Sequence, residues 1–283
     1  ICALWKKVGF MNIIELLKNN SQNIPDKVAL IYQGEKVTFR DLDERSKSVA
    51  RFFATHKVTK GQKALLFIPL GVDLYVIFLG LVRSGVTVVL IDPSAGKSHI
   101  EQCIKAIKPD LFIATPKAHI LRFIPAVGNI AKKFSTNYWV PGSTVIRYLS
   151  DGSKKFKDVD CSSNHSALIT FTSGSTGMPK GISRSHSFLM NQYKAISHSF
   201  ALEGTDIELN TLPVFILSNL ASGMTTVIPD TDIRNPATVD SKKIVKQIQL
   251  EGVTRILASP AFCKSLVDYL ESQNRSLNSV KKV

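Results

Sequence analysis

The stretch FTSGSTGMPKG (Phe171–Gly181) places three glycines, four hydroxyl side chains (Thr172, Ser173, Ser175, Thr176), a proline and a lysine in eleven positions. Before it, SALITF (Ser166–Phe171) is short, apolar and β-branched, and reads as a buried strand. After it, RSHSFLMNQYKAISHSFAL (Arg184–Leu202) sets Phe188, Leu189, Tyr193, Ile196 and Phe200 near helical spacing and reads as an amphipathic helix. A strand feeding a glycine loop that opens on a helix is an arrangement that binds phosphate. Glycines let the backbone approach closely and aim its N–H groups inward, hydroxyls add donors, and a lysine adds a point charge. The spacing is not that of a P-loop NTPase, which needs G-x-x-x-x-G-K-[ST]; here Lys180 follows Gly177 by three positions. The triplet Gly96-Lys97-Ser98 has Ile91 five residues before Gly96, so it reads as a helix start. A solvated Gly/Ser turn is the bland alternative; the order of residues and the two flanks weigh against it.

Outward from this loop the chain repeatedly reads strand then helix. KVALIYQG (Lys27–Gly34) is a strand ending in a turn, and Thr38 caps the helix FRDLDERSKSVARFFATH. QKALLFIP, VTVVLID and DLFIAT read as strands, separated by the buried helix GVDLYVIFLGLVRSG and by SHIEQCIKAIK, capped by Ser98. DGSKKFKDVD (Asp151–Asp160) reads as a polar linker. GMTTVIPD (Gly223–Asp230) and VTRILASP (Val253–Pro260) are further strands around the helix SKKIVKQIQLEG. Apolar strands alternating with helices predict an α/β fold of mostly parallel sheets with helices on both faces.

Composition bounds the function. A hydrophobic fraction of 44% over 283 residues, with mixed charges, indicates a globular chain able to bury a large core. Cys2, Cys103, Cys161 and Cys263 stand apart and read as reduced thiols, not as a disulfide framework or a metal site, and the six histidines are dispersed. The net charge of +14 is uneven: residues 1–163 hold 24 Lys/Arg against 13 Asp/Glu, and residues 164–283 hold 12 against 9. The basic residues are spread singly, which argues against nucleic acid as a partner, although an anionic cofactor or a membrane surface would benefit from the field. Leu74–Ile91 is long and apolar, but Arg83-Ser84-Gly85 divides it into a helix and a strand, so no transmembrane segment is expected. Ile1–Phe10 lacks the pattern of a signal peptide and reads as a non-native leader before Met11, and a cytoplasmic location is expected.

The run T-S-G-S-T-G-x-P-K-G at Thr172–Gly181 resembles the phosphate-loop signature of the adenylate-forming superfamily, which includes acyl-CoA synthetases, luciferases and nonribosomal-peptide adenylation domains. VTFRDLDERSKSVARFF (Val37–Phe53) and GLVRSGVTVVLIDPS (Gly80–Ser94) are similar to two earlier segments of that family, in the same order. The resemblance implies that Thr172, Ser173, Gly174, Ser175, Thr176 and Gly177 hold the β- and γ-phosphates of ATP, with Lys180 as the cation and Lys180 and Thr176 as the catalytic pair. It implies ATP and Mg²⁺ as cofactors, a small carboxylic acid as substrate, activated as an acyl-adenylate with loss of pyrophosphate, and coenzyme A as a possible acceptor. For Lys180 the alternative is a surface lysine anchoring the loop. His186 and His198 read as helix-surface residues, Asp92 as a strand-end turn residue, and Ser218 and Asn219 as either lining an acyl pocket or serving in a loop or cap.

Two departures accompany the resemblance. LPVFIL (Leu212–Leu217) has Ile216 where most of the family carries a histidine. TLPVFILSNLASGMTTVIPD (Thr211–Asp230) looks more like the branch that makes β-lactones in bacterial long-chain olefin biosynthesis, which needs no coenzyme A; thioester and lactone products both stay open. The family's adenine-binding Y-G-x-T-E segment, whose Glu is linked to Mg²⁺, its ribose-binding Asp and its mobile C-terminal domain do not occur before Val283. The resemblance therefore implies the N-terminal portion of such an enzyme: residues 11–163 as a first α/β subdomain, and residues 164–283 as a second, truncated one opening with the phosphate loop. No metal-ligand residue is expected within it, and the chain alone is expected to be inactive. A fragment that at most binds nucleotide or pyrophosphate is the competing reading.

Overall fold

The computed structural model describes residues 12–148, 156–173, 179–233 and 235–283. Along them come α1 (Ile14–Asn23), the hairpin β1 (Val28–Tyr32) and β2 (Glu35–Thr38), and α2 (Phe39–Thr55). An alternating run follows: β3 (Lys63–Phe67), α3 (Val72–Arg83), β4 (Thr87–Leu90), α4 (Lys97–Ile107) and β5 (Leu111–Ala114). A 3₁₀ helix (Lys117–Phe123) and the short α5 (Pro125–Gly128) lead to β6 (Lys132–Ser135) and β7 (Thr144–Val145). Then come β8 (Ser166–Ser173), β9 (Pro179–Ser185) and α6 (His186–Ser199). The remainder is β10 (Ile207–Asn210), α7 (Pro213–Ser222), β11 (Thr225–Val227), α8 (Ser241–Glu251), β12 (Arg255–Leu257) and α9 (Pro260–Ser272).

The strands form two sheets, ordered β7-β6-β5-β3-β4-β8-β9 and β12-β10-β11-β1-β2. Every pairing is parallel except β8–β9 and β1–β2. The expected α/β architecture of mostly parallel, helix-flanked sheets is what the chain adopts. Two compact units contain one sheet each. The seven-stranded unit comprises residues up to Glu15, Asp43–Pro69 and Asp73–Asn191; the five-stranded unit comprises Leu16–Leu42, Leu70–Val72 and Gln192–Val283. The strands bordering the phosphate loop thus lie in the sheet of β3, β4 and β5.

Local chemistry explains the element ends. Gln33 and Gly34 both have positive φ (51° and 80°), the backbone that joins antiparallel strands through a two-residue turn. Thr38 and Asp41 cap α2 reciprocally: Asp41 N–H donates to Thr38 Oγ1 at 3.1 Å, and Thr38 N–H donates to Asp41 Oδ2 at 3.1 Å. At α4 the expected cap is corrected. Gly96, at φ 85° and ψ 165°, turns the chain into the helix, and Ser98 is its second residue and caps nothing. In the seven-stranded unit, Leu65, Val89 and Phe112 of the sheet pack against Ile100, Ile104 and Val127 of α4 and α5. Each large apolar side chain fully buried in this way contributes about 1.5–3 kcal/mol. In the five-stranded unit, Leu209, Val227 and Ile256 pack against α8 and α9 through Ile244, Ile248, Phe262 and Leu266.

The region after the loop departs from expectation. The phosphate loop does not open on a helix; β9 intervenes and pairs with β8 along its whole length. Its sequence, PKGISRS, holds one large apolar residue, Ile182, so local alternation gives no strand signal; pairing with β8 supplies its backbone partners. In α6, His186, Leu189 and Met190 are the buried side chains, whereas Phe188 and Phe200 are exposed.

Candidate functional site

The β8–β9 hairpin builds the candidate site. Its register sets Thr170 opposite Ile182, Thr172 opposite Lys180 and Ser173 opposite Pro179. Side chains on paired strands alternate between faces, so Thr170 and Thr172 share a face with Lys180, Ile182 and Arg184. Thr172 and Lys180 are exposed where the hairpin opens. One strand pair thus offers two hydroxyls and two cations on a single face. Arg184 donates to Thr170 Oγ1, and its guanidinium carbon lies 5.8 Å from the centre of the Phe188 ring. The alternation Lys180-x-Ile182-x-Arg184 was the signal for this face, legible only once β9 is known to be a strand.

The opposite face explains one signature glycine. A Cβ on Gly181 would stand 3.2 Å from Ile107 Cδ1 and 3.3 Å from Phe171 Cε1, so the residue lets α4 and the hairpin pack closely. Of the other expected phosphate contacts, Gly174, Ser175, Thr176 and Gly177 lie outside the described residues, and Ser173 is described through its backbone alone. Among the described residues the segment after the loop begins with strand β9, and the next helix, α6, starts only at His186.

The remaining candidates are placed as follows. His186 is buried, which corrects the surface reading: desolvation, then the neighbouring His165 charge, pushes its pKa down to about 4. Its Nδ1 accepts the Ile13 N–H at 3.4 Å, and the two imidazoles stack with centres 6.0 Å apart. A histidine held neutral and engaged in this way anchors the start of α6. His198 is exposed. Asp92 Oδ1 accepts the Ser94 N–H at 2.8 Å, a turn role. Ser218 and Asn219 are buried on α7, not on a loop. Asn219 Nδ2 donates to Glu208 Oε1 at 2.7 Å and to Thr226 Oγ1 at 3.1 Å, and Arg255 Nε reaches Glu208 Oε2 at 3.4 Å. Glu208, Asn219 and Arg255, whose meeting is invisible in the sequence because they are far apart along the chain, line a cavity of about 260 Å³ together with Phe200 and Phe215. Ile216 is fully buried. Among the described residues, no group of three His, Cys, Asp or Glu could hold a metal ion, and no helix is long and apolar enough to cross a membrane.

Residues 17–283 match the family model described as AMP-binding enzyme. The chain is 30% identical over 274 residues to an olefin beta-lactone synthetase of Xanthomonas campestris pv. campestris, covering 91% of this chain and 49% of that protein. It is 29% identical over 290 residues to the olefin beta-lactone synthetase of Stenotrophomonas maltophilia, covering 96% and 51%. The chain thus spans about half the length of these curated relatives. A solved long-chain-fatty-acid-CoA ligase from Archaeoglobus fulgidus superposes with a TM-score of 0.82 at 20% identity, over 97% of this chain and 59% of that one. With its phosphate-loop sequence, its mostly parallel sheets and a family match reaching from residue 17 to residue 283, the chain belongs to the AMP-binding, adenylate-forming enzymes.

Proposed function

We propose that the complete enzyme activates a carboxylic acid at the expense of ATP, the acid being a fatty or β-hydroxy fatty acid. The observation that carries the reading is the pairing of Thr172 with Lys180 at the mouth of a hairpin whose connecting residues complete the family's phosphate-loop sequence. In this reaction a carboxylate oxygen bonds to the α-phosphorus of ATP. The bridging bond from that phosphorus to the β-phosphate oxygen breaks, and pyrophosphate leaves carrying the developing charge. Donors fixed in advance around that leaving group lower the barrier most. Thr172, Ser173, Gly174, Ser175, Thr176 and Gly177 would supply N–H groups and hydroxyls to the β- and γ-phosphates. Lys180 would supply the compensating charge, and Thr176 would act with it. Enzymes of this family use Mg²⁺ with ATP.

For the second half-reaction, we favour ring closure to a β-lactone. The β-hydroxyl oxygen attacks the acyl carbon, the acyl–phosphate bond breaks, AMP departs and the hydroxyl proton is released. Support comes from the names of the two curated relatives and from buried Ile216, which replaces a polar residue with an apolar one. Pyrophosphate–ATP exchange by a full-length version, with a panel of acids, tests the first step. Exchange dependent on a long-chain acid is expected, and failure of every acid sinks the reading. Product analysis with and without coenzyme A then separates lactone from thioester.

A further inference from the structure

Among the described residues, the most exposed large apolar side chains of the seven-stranded unit gather in two segments. Phe123 is 87% exposed and Ile120 67% on the 3₁₀ helix; Tyr138 is 76% exposed and Trp139 67% on the connection after β6. On a 3₁₀ helix, residues three apart eclipse one another, so Lys117, Ile120 and Phe123 form one exposed ridge. The two segments leave the same ends of adjacent parallel strands: Ala114 of β5 pairs with Ser135 of β6. Arg122 ties them together, donating from Nη1 to the Pro141 carbonyl at 2.6 Å.

The charge of this region is one-sided. Residues 111–150 include Lys117, Arg122, Lys132, Lys133 and Arg147 and no Asp or Glu. Lys117 and Arg147 are exposed. One carboxylate reaches the region from outside it, Asp73, which accepts from Asn137 Nδ2 at 3.4 Å and from the Tyr148 hydroxyl. Exposed Trp, Tyr and Phe beside a net excess of cations match the interface of an anionic bilayer, where rings sit at headgroup depth and ammonium groups meet lipid phosphate. An aliphatic isoleucine in the ridge suits the acyl–headgroup boundary; it adds nothing to stacking on nucleic-acid bases. β8 is parallel to β4, β3, β5 and β6, so its loop-bearing end lies on the same edge of the sheet as this ridge. At about 4.8 Å per strand, the two are roughly 14–19 Å apart across the sheet.

We propose that the Lys117–Ile120–Phe123 ridge, with Tyr138 and Trp139, docks the protein onto anionic phospholipid membranes. The inference is independent of the adenylation reading, because its test reads lipid binding. Trp5→Phe leaves Trp139 as the sole tryptophan. In that background the whole chain is mixed with phosphatidylcholine vesicles, with or without phosphatidylglycerol, and assayed by cosedimentation and tryptophan emission. Expected are binding at least about tenfold stronger to the anionic vesicles, a blue shift of Trp139, and weakening as salt rises. Phe123→Ser/Tyr138→Ser/Trp139→Ser should abolish cosedimentation. Lys117→Glu, which leaves the rings in place, should weaken it roughly fivefold or more, and circular dichroism confirms that each variant is folded. The proposal is overturned if the chain ignores both vesicle types, if the triple-serine variant or Lys117→Glu binds as before, if binding leaves Trp139 emission unmoved, or if single-stranded DNA is bound and vesicles are not.

Discussion

Thr172 and Lys180 face each other across the β8–β9 ladder, one residue short of where the described strands end at Ser173 and Pro179. Directly opposed residues place their Cβ atoms about 5 Å apart, so the hydroxyl and the ammonium stem rise side by side from one face. Eight positions separate them in sequence, and the glycine- and hydroxyl-rich run occupies that interval. The strand pair is therefore a rigid base that fixes the separation and direction of two donors.

Substituting Lys180→Ala in the full-length enzyme is expected to lower acid-dependent pyrophosphate exchange by about 10²–10³, the loss typical of one preorganised charge-stabilising donor. Thr172→Val should lower it by about tenfold, the loss of about 1.4 kcal/mol from a neutral hydrogen bond. Both side chains are exposed, so melting temperature should barely move. Exchange kinetics with Lys180→Arg show whether charge alone suffices; unchanged exchange by Lys180→Ala removes the lysine from the mechanism.

Burial of His186 makes stability depend on pH. Its folded pKa, about 4, lies below the ordinary 6.5 because burial, then the His165 charge, disfavours the imidazolium. The unfolded chain therefore binds the proton more readily. The neutral ring's contribution is fully present above pH 6.5 and is lost as pH falls from 6.5 toward 4, at up to about 1.4 kcal/mol per pH unit. His119, pushed down chiefly by burial, acts with the same sign. Melting temperatures between pH 7 and 4 should fall less steeply for His186→Gln than for the native chain; parallel curves would refute the assignment.

Arg83 is wholly buried in the seven-stranded unit, where it pairs with Asp43, donates to Asp158 Oδ1 at 2.8 Å and donates to Ser46 Oγ at 3.0 Å. Removing it takes the buried cation from Asp43, which among the described residues keeps only the half-buried Lys47 at 2.5 Å as an ion-pair partner. Arg83→Met should cost about 3–5 kcal/mol in denaturant unfolding even though its length is similar. Adding Asp43→Asn should recover part of that loss, a coupling that two independent sites would not show.

Gly80 of α3 meets α2 closely: a Cβ there would stand 2.5 Å from Val49 Cγ1 and 3.1 Å from the Ser46 carbonyl. Gly80→Ala gains up to about 1 kcal/mol of helix propensity but overpacks the contact by about 1–3 kcal/mol. The expected outcome is net destabilisation, read by urea unfolding. Gly80→Ala with Val49→Ala should recover only part of that loss, since the second change removes the Val49 Cγ1 but leaves its Cβ, which would stand 2.7 Å from the new methyl group.

The sequence by itself determined the α/β class, the order of most elements and the family signature at Thr172–Gly181. These are written in local patterns: apolar strands such as KALLF (Lys63–Phe67), capped amphipathic helices such as α2, and a contiguous glycine–hydroxyl run. Only the tertiary structure decided what depends on pairing between distant residues. PKGISRS becomes a strand because β8 satisfies its backbone, and that pairing brings Lys180 and Arg184 to the face of Thr170 and Thr172. His186 is buried although its local sequence is polar, because His165 and Ile13, far off in the chain, cover it. Glu208, Asn219 and Arg255 meet for the same reason. Local sequence carries backbone preference and periodicity; burial and cross-strand register are set by which other segments arrive.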